Sequence, residues 1–235
     1  MTSIFQTFSK RISMMHYPDF FDDAPVITLY DPLAEFLGAA DGGVMEYRYL
    51  DVVRLAGHSC PTVACAFLMT RVALHALYAD KLPVRGEIQV DFRDAQQDGT
   101  TGVVANVLGL ITGAAGPGGF KGIDGRFHRD GLLGSGADID GQILLTRTDT
   151  GAAVGVSVNP GHIPSNPHLR ELLALCLAGT ATETKQTDFR ELWQSRVWTL
   201  LLNHADDPEV IITRMLPDDP QPKSHQGRTA TGSTS

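Results

Sequence analysis

The sequence predicts an α+β fold, and three observations carry this prediction. Residues 61–80 place apolar side chains at helical spacing, with small alanines between them. Residues 141–147 and 152–158 are two β-like runs, and the Thr-Asp-Thr-Gly segment between them favours a hairpin turn. After residue 160 the composition changes to two more helical segments. We therefore expect helices packed on a mixed or antiparallel sheet, followed by C-terminal helices.

Local signals predict the elements that precede the hairpin. A short helix over 32–37 ends at Gly38, and the long helix of 61–80 is closed by Lys81 and Pro83. Residues 44–55 are rich in Val, Tyr and Leu, which favours a strand or a buried extended segment. The remaining expectations are a strand over 84–92, a helix over about 100–111 and a glycine-rich loop over 113–125.

The C-terminal part is expected to hold helices over 167–178 and 187–204 and a short strand near Ile211. These elements divide the chain into an N-terminal arm (1–25), an α+β core (26–165), a helical extension (166–216) and a tail (217–235). The tail is dominated by polar residues, glycine and proline, so we expect it to be disordered. The arm carries apolar residues that should pack on the body or on a partner subunit. These are Met14, Met15, Phe20 and Phe21.

Composition excludes several classes of function. The net charge is −8 with no basic cluster, which argues against nucleic acid and against an anionic membrane surface as partners. We expect no signal peptide and no membrane-spanning helix, because neither an apolar segment near the start nor a run of about 18 apolar residues is present. Three scattered cysteines make a disulfide framework improbable and favour the cytoplasm.

The most informative motif is Gly57-His58-Ser59-Cys60-Pro61, which directly precedes the 61–80 helix. Pro61 suits the first helical position, so Cys60 should lie at or next to the cap, facing unpaired backbone N–H groups. That position favours the thiolate, the form that binds metal or attacks electrophiles. The alternative, equally compatible with the spacing, is a small core cysteine beside a surface histidine at the start of a helix.

This motif, followed by Ala64 and Leu68, resembles the Gly-His-x-Cys-Pro signature of the FmdE family, which is named after a component of formylmethanofuran dehydrogenase. The resemblance covers about residues 30–160. It implies an α+β core, a homodimer, and a cleft at the signature helix that can bind zinc or another transition metal. The chain differs from family members at Val103 and Asn106, where they often carry Cys and Asp. It also lacks the C-terminal zinc finger of some members, since only Cys176 follows residue 65.

A zinc or iron site at His58 and Cys60 would need one or two further ligands. Cys65 is expected to be a core residue instead, because five residues along a helix leave it about 140° from the face of Cys60. His128 is the candidate for a third ligand or a general base, since it lies in a polar cluster after the glycine-rich loop. Without a metal, Cys60 would be a nucleophile and His58 its base.

The glycine-rich loop has two interpretations. The backbone at Gly116, Gly118 and Gly119, with Lys121 as counter-charge, could bind a small anion near Cys60. A close-packed loop at a dimer contact fits the sequence equally well. Nucleotide binding is improbable, because Lys121 is followed by Gly122 rather than by the serine or threonine of a P-loop.

Two classes of function follow. The first is a small metalloenzyme, or a thiol enzyme without metal, acting on a small-molecule ligand. The second is a non-catalytic protein that carries or delivers a metal or cofactor. An open coordination position beside a pocket would favour catalysis, and a fully protein-ligated metal would favour the accessory role.

Overall fold

The computed structural model of the protein describes residues 16–163 and 165–217. Within these residues the strands are β1 (Ile27–Tyr30), β2 (Val44–Tyr47), β3 (Ile88–Phe92), β4 (Leu133–Ser135), β5 (Ile143–Arg147), β6 (Ala153–Val158) and β7 (Ile211–Met215). Five of these strands form a sheet in the order β4-β3-β5-β6-β7, in which β3 and β4 are parallel and the other neighbours antiparallel. A separate antiparallel pair joins β1 and β2.

The α-helices of the same residues are α1 (Phe20–Asp23), α2 (Pro32–Phe36), α3 (Tyr49–Ala56), α4 (Pro61–Tyr78), α5 (Thr101–Thr112), α6 (His168–Leu177) and α7 (Glu183–Trp198). A π-helical turn, Thr199–Asn203, continues α7, and short 3-10 turns cover Asp41–Gly43 and Pro160–His162. The α+β class is confirmed. So are the hairpin, with β5 and β6 antiparallel, and the helices predicted near 61–80 and 100–111.

Helix α4 lies at the centre of the core, between α5 and the β6–β7 part of the sheet. Buried residues occupy most of the circumference of α4, and Phe67, Leu68 and Leu74 are almost completely inaccessible to solvent. Strand β3 alternates buried and half-buried side chains, so that Ile88, Val90 and Phe92 share one covered face.

The burial of α4 also explains its apolar composition. Among residues 16–163 and 165–217, Pro61–Tyr78 is the one helix long and apolar enough to cross a membrane, and 67% of that stretch is buried inside the fold. A helix that is apolar all round is expected at the centre of a core of this size. We therefore identify α4 as the core helix of the fold.

The prediction of one extended segment over 44–55 is wrong in its second half. Strand β2 ends at Tyr47 and α3 begins two residues later. Asp51 explains the helix start, since its carboxylate accepts a hydrogen bond of 2.8 Å from the backbone N–H of Arg48. The buried residues Tyr49, Val52 and Val53 recur at helical spacing. The sequence favoured a strand here because valine is β-branched and common in strands.

The described part of the N-terminal arm packs on the body of the molecule. Phe21 in α1 is buried, and its ring meets the ring of Tyr49 edge to face with centroids 5.0 Å apart. The expected docking of Phe20 and Phe21 is thus borne out within one chain. Met14 and Met15 lie outside the described residues.

The C-terminal extension supplies part of the same core. Strand β7 pairs with β6 as the edge of the five-stranded sheet, and Val197, Leu200 and Leu201 of the second extension helix and its π-helical turn are buried. That helix begins at Glu183, earlier than predicted, where the hydroxyl of Thr182 caps it. The tail predicted to be disordered lies, from residue 218 on, outside the described residues.

Candidate functional site

The candidate site is built around the short turn between α3 and α4. Gly57, with φ of 75°, ends α3 in the left-handed conformation that glycine adopts without a steric penalty. Cys60 is the extended N-cap residue of α4, and Pro61 occupies the first helical position as predicted. The turn therefore places the thiol at the N-terminal end of the core helix.

Ser59 ties this turn to helix α7. Its hydroxyl donates to the side-chain oxygen of Gln194 at 3.0 Å, which leaves the Tyr49 hydroxyl, also at 3.0 Å, to donate to Ser59. The indole N–H of Trp193 donates to the Ser59 carbonyl at 3.0 Å, and the Gln194 amide donates there at 3.4 Å. Residues far apart in the chain thus fix the backbone next to Cys60.

Cys60 borders a cavity of about 450 Å³, whereas His58 does not. Cys60 is largely buried, with 9% of the residue exposed. His58 is exposed, and its Nδ1 lies 3.0 Å from the carbonyl oxygen of Ala56. The two residues predicted to act together therefore lie in different environments in this structure.

Cys65 borders the same cavity as Cys60, so the expectation that the two residues face different ways is wrong. The helical rotation of 100° per residue does not apply to Cys60, because its φ of −151° and ψ of 166° are extended. Cys65 is buried, as predicted for a core residue. Burial raises the pKa of its thiol to about 12, and the Arg196 guanidinium opposes this rise.

The polar part of the cavity wall combines a cation and two helix N-termini with the amide of Gln142 and the carboxylate of Asp94, which is paired with Arg93 at the surface. Arg196 of α7 borders the cavity, and among the described residues its buried Nε has no hydrogen-bond partner. Thr62 in the first turn of α4 and Thr100 at the N-cap of α5 also line it. Neither helix start is capped by a side chain, so first-turn backbone N–H groups remain available to an anion.

The remaining wall is mostly apolar. Met69, Phe92, Val104 and Ile143 line the cavity, as does Trp193, whose indole is hydrogen-bonded to Ser59. An apolar cavity with a few convergent polar groups is the usual form of a small-molecule site. The composition of the lining fits a ligand that carries an anionic group and a hydrocarbon part.

A metal would need more donors than this turn supplies. In residues 16–163 and 165–217 there is no group of three or more His, Cys, Asp or Glu side chains that could hold a metal ion. A zinc site requires three or four such ligands. His58 and Cys60 of one described chain therefore do not complete a zinc site by themselves.

His128 does not join the residues at the turn. It is exposed and borders a different cavity, which shares no lining residue with the cavity at Cys60. Its Nδ1 lies 3.9 Å from a carboxylate oxygen of Asp130. The predicted grouping of His128 with His58 and Cys60 is not formed in this structure.

The predicted anion-binding part of the glycine-rich loop makes its contacts within the loop and with Asp130, and only Gly125 at the end of the loop borders a cavity, the second one. Lys121 donates to the carbonyl of Pro117 at 2.6 Å and to Asp130 at 2.9 Å, and this ammonium group lowers the pKa of Asp130. A Cβ at Gly119 would lie 2.5 Å from the Ala115 side chain, so this glycine permits close packing. Gly116 accepts a hydrogen bond from the N–H of Gly119.

None of the predicted anion-binding residues borders either cavity. The residues in question are Gly116, Gly118, Gly119 and Lys121. Of the two interpretations of this loop, the close-packed loop describes its local contacts.

Arg196 and Trp193 were not among the residues predicted for the site. Both lie more than 130 positions from Ser59 and Cys60, and no local pattern reports a contact at that separation. The one available signal was a charged residue next to the apolar residues Val197 and Trp198.

No protein-family model matches the chain, and comparison with curated proteins gives no match. The similarity to the FmdE family therefore stays a prediction from the signature motif.

Proposed function

We propose that the protein binds a small organic anion in the cavity at Cys60 and that the Cys60 thiol is the reactive group of this site. One observation carries the proposal. The N-cap thiol, the Arg196 guanidinium and the uncapped N-terminus of α5 converge on one cavity of about 450 Å³. The anionic group of the ligand would lie at Arg196 and the helix N-termini. Its hydrocarbon part would lie against Met69 and Phe92.

Charge selectivity of alkylation tests this proposal. Iodoacetate and iodoacetamide alkylate a thiol by the same displacement and differ in charge. We divide the rate of iodoacetate by the rate of iodoacetamide. At Cys60 of the folded protein we expect this ratio to be roughly tenfold higher than in the unfolded chain, because Arg196 attracts the carboxylate. Peptide mass spectrometry identifies the modified cysteine. A Cys65→Ser variant removes the second thiol of the cavity, so that alkylation of Cys65 cannot contribute to the measured rate.

Two arginine variants make the experiment specific. Arg196→Gln should return the ratio to that of the unfolded chain. Arg190→Gln, on the exposed side of the same helix, should leave the ratio unchanged. A native ratio equal to the unfolded value, or one that Arg196→Gln does not alter, contradicts the proposal.

A second candidate is the transition-metal site that the sequence predicts, with zinc as the metal. The observation in its favour is that two thiols, Cys60 and Cys65, border one cavity, and thiolate sulfur is a preferred zinc ligand. Further ligands would have to come from outside the described residues or from a second copy of the chain. Elemental analysis of freshly purified protein tests it. Undiminished metal in a Cys60→Ser variant would rule out a metal at this thiol.

Assembly and location complete the proposal. A homodimer and a cytoplasmic location agree with exposed apolar residues such as Leu177, and with three cysteines that form no disulfide among the described residues. Whether the bound anion is chemically changed or only carried distinguishes an enzyme from an accessory protein.

A further inference from the structure

A second cavity, of about 460 Å³, is bordered by basic side chains. Arg85, Arg126, Arg129 and His128 all line it. The chain as a whole is acidic, with a net charge of −8, so composition does not account for three guanidinium groups around one cavity. Its acidic lining residues are Glu87 and Asp149, and the latter is already paired with Arg147 outside the cavity wall.

Arg129 is the central group of this cavity. Only 6% of the residue is exposed, and its Nη2 donates to a carboxylate oxygen of Asp31 at 2.7 Å. Its Nε and Nη1 are buried and have no hydrogen-bond partner among the described residues. A buried donor without an acceptor is costly, and a guanidinium has no acceptor or neutral state with which to adapt.

Asp31 does not supply the missing acceptors, because its hydrogen bond from Arg129 comes from Nη2 alone. It accepts from the backbone N–H groups of Leu33 and Ala34, where it caps α2, and from both Arg129 and Arg85. Two guanidinium groups therefore share one carboxylate. Arg85 satisfies its other nitrogens on the carbonyls of Leu110 and Ile111, which leaves the unmet donors on Arg129.

A glycine creates the space that the Arg129 side chain occupies. A Cβ at Gly86 would lie 1.6 Å from Nη1 of Arg129, and one at Gly113 would lie 2.9 Å from the same atom. Gly86 also borders the cavity. The backbone is thus shaped to bring the guanidinium to the cavity wall with two of its nitrogens unpaired.

The outer rim of the cavity is a tight turn that holds a second arginine in place. The backbone N–H groups of Ile123 and Arg126 each donate to the carbonyl of the other, at 2.8 and 3.0 Å. The Arg126 guanidinium lies over the ring of Phe127, 4.6 Å from its centroid. Phe127 has a φ of 62°, a strained conformation for a bulky residue and one that is concentrated at functional sites.

We propose that this cavity is a second ligand site, which binds the carboxylate or phosphate group of a small metabolite between Arg129 and Arg126. Guanidinium groups bind both kinds of oxyanion through paired N–H donors. Ligand oxygen atoms would contact the exposed Arg126 guanidinium directly. A small movement of the Arg129 side chain toward the cavity would let them also supply the acceptors that its buried Nε and Nη1 lack. The site is separate from the cavity at Cys60 and does not depend on the function proposed there.

Thermal unfolding of the full chain with defined anions tests this site. Inorganic phosphate and malonate represent the two oxyanion classes, and chloride at matched ionic strength controls for general salt effects. We expect one of the two to raise the Tm by about 2–4 °C at a concentration of roughly five times its Kd, and further at higher concentration, as ligand linkage predicts for a chain of this size. The lower of the two apparent Kd values identifies the oxyanion class.

Variants at the rim and at the buried arginine assign the effect. Arg126→Gln should weaken the apparent affinity roughly tenfold, whereas Arg190→Gln should leave it unchanged. Arg129→Lys keeps the buried charge but loses the forked donors, and should abolish the effect if the variant folds. If Arg129→Lys does not fold, Arg126→Gln, at an exposed position, tests the proposal by itself. Equal Tm values in phosphate, malonate and chloride overturn the proposal, as does an effect that survives Arg126→Gln.

Discussion

Asp31 is a single residue on which three parts of the chain depend. It caps α2, pairs with Arg85, which reaches the end of α5, and pairs with Arg129 from the loop before β4. Burial acts to raise the pKa of this carboxyl, but hydrogen bonds from Arg85 and Ala34 and the charge of Arg129 outweigh it. The net result is a lowered pKa. Asp31 is therefore the ionised partner that keeps two guanidinium groups compensated.

Asp31→Asn should destabilise the protein by about 3 kcal/mol, because it leaves two arginines with no negative partner. Thermal unfolding measures this as a lower Tm. Asp140→Asn is the matched control, since Asp140 forms an exposed pair with Arg214 and the same substitution there should change stability by less than about 0.5 kcal/mol. Equal effects at the two positions would contradict the role assigned to Asp31.

The difference in Tm between the wild-type protein and Asp31→Asn should depend on pH with a defined sign. A carboxyl whose pKa is lowered by folding contributes stability above its unfolded pKa and loses it as the pH falls through its folded pKa. The Tm difference between wild type and Asp31→Asn should be full near neutral pH. It should narrow once the pH drops below about 4, the ordinary range of an aspartate. A difference that widens toward acid pH would be inconsistent with the lowered pKa.

At the scale of elements, helix α7 acts as a clamp on the turn before α4. The contacts of Trp193 and Gln194 with Ser59 fix the turn, and Arg196, one helical turn from Trp193, borders the cavity. The C-terminal extension therefore contributes directly to the candidate site.

Trp193→Phe should loosen this clamp, because it removes one hydrogen bond to the Ser59 carbonyl and leaves an aromatic ring. We expect a loss of about 1 kcal/mol in the free energy of unfolding and faster alkylation of Cys60 in the folded protein. Trp198→Phe changes a more exposed tryptophan on the same helix and is the control. Faster alkylation in both variants, or in neither, would show that the indole of Trp193 does not hold the turn.

Local patterns predicted the long elements and some short ones, such as the helix near 32–37, but missed elements that depend on a distant partner. Helix α4 and the β5–β6 hairpin follow from periodicity and turn chemistry that lie within one window of sequence. Strand β4 has three residues, Leu133–Ser135, and exists because it pairs with β3, a partner more than forty positions away. The same limit explains the site. Cys60 and Pro61 were predicted from a local motif, whereas Arg196 enters only through tertiary packing.

For the whole molecule, the exposed apolar surface argues for self-association. Leu177 is 80% exposed, and Phe36 and Leu37 are each more than half exposed. Phe36 and Leu37 are adjacent in the chain, and exposed apolar residues that form a contiguous patch commonly mark interfaces. They agree with the homodimer that the sequence predicts.

Light scattering coupled to size exclusion should give twice the mass of one 25.3 kDa chain at micromolar concentration. Leu177→Glu and Phe36→Glu place a charge on two of the exposed positions, and the variant that touches the interface should shift the mass toward one chain. A wild-type mass of a single chain at these concentrations would refute the dimer.

The clamp formed by α7 also sets an order of events during synthesis. The thiols of Cys60 and Cys65 leave the ribosome long before Trp193 and Arg196, which complete the wall around them. At ordinary translation rates this interval is on the order of 10 s. For that time the nascent chain carries two uncovered thiols that the finished protein keeps largely from solvent. The newly made chain should therefore be more vulnerable to oxidants than the folded one until Trp193 and Arg196 have been made and packed.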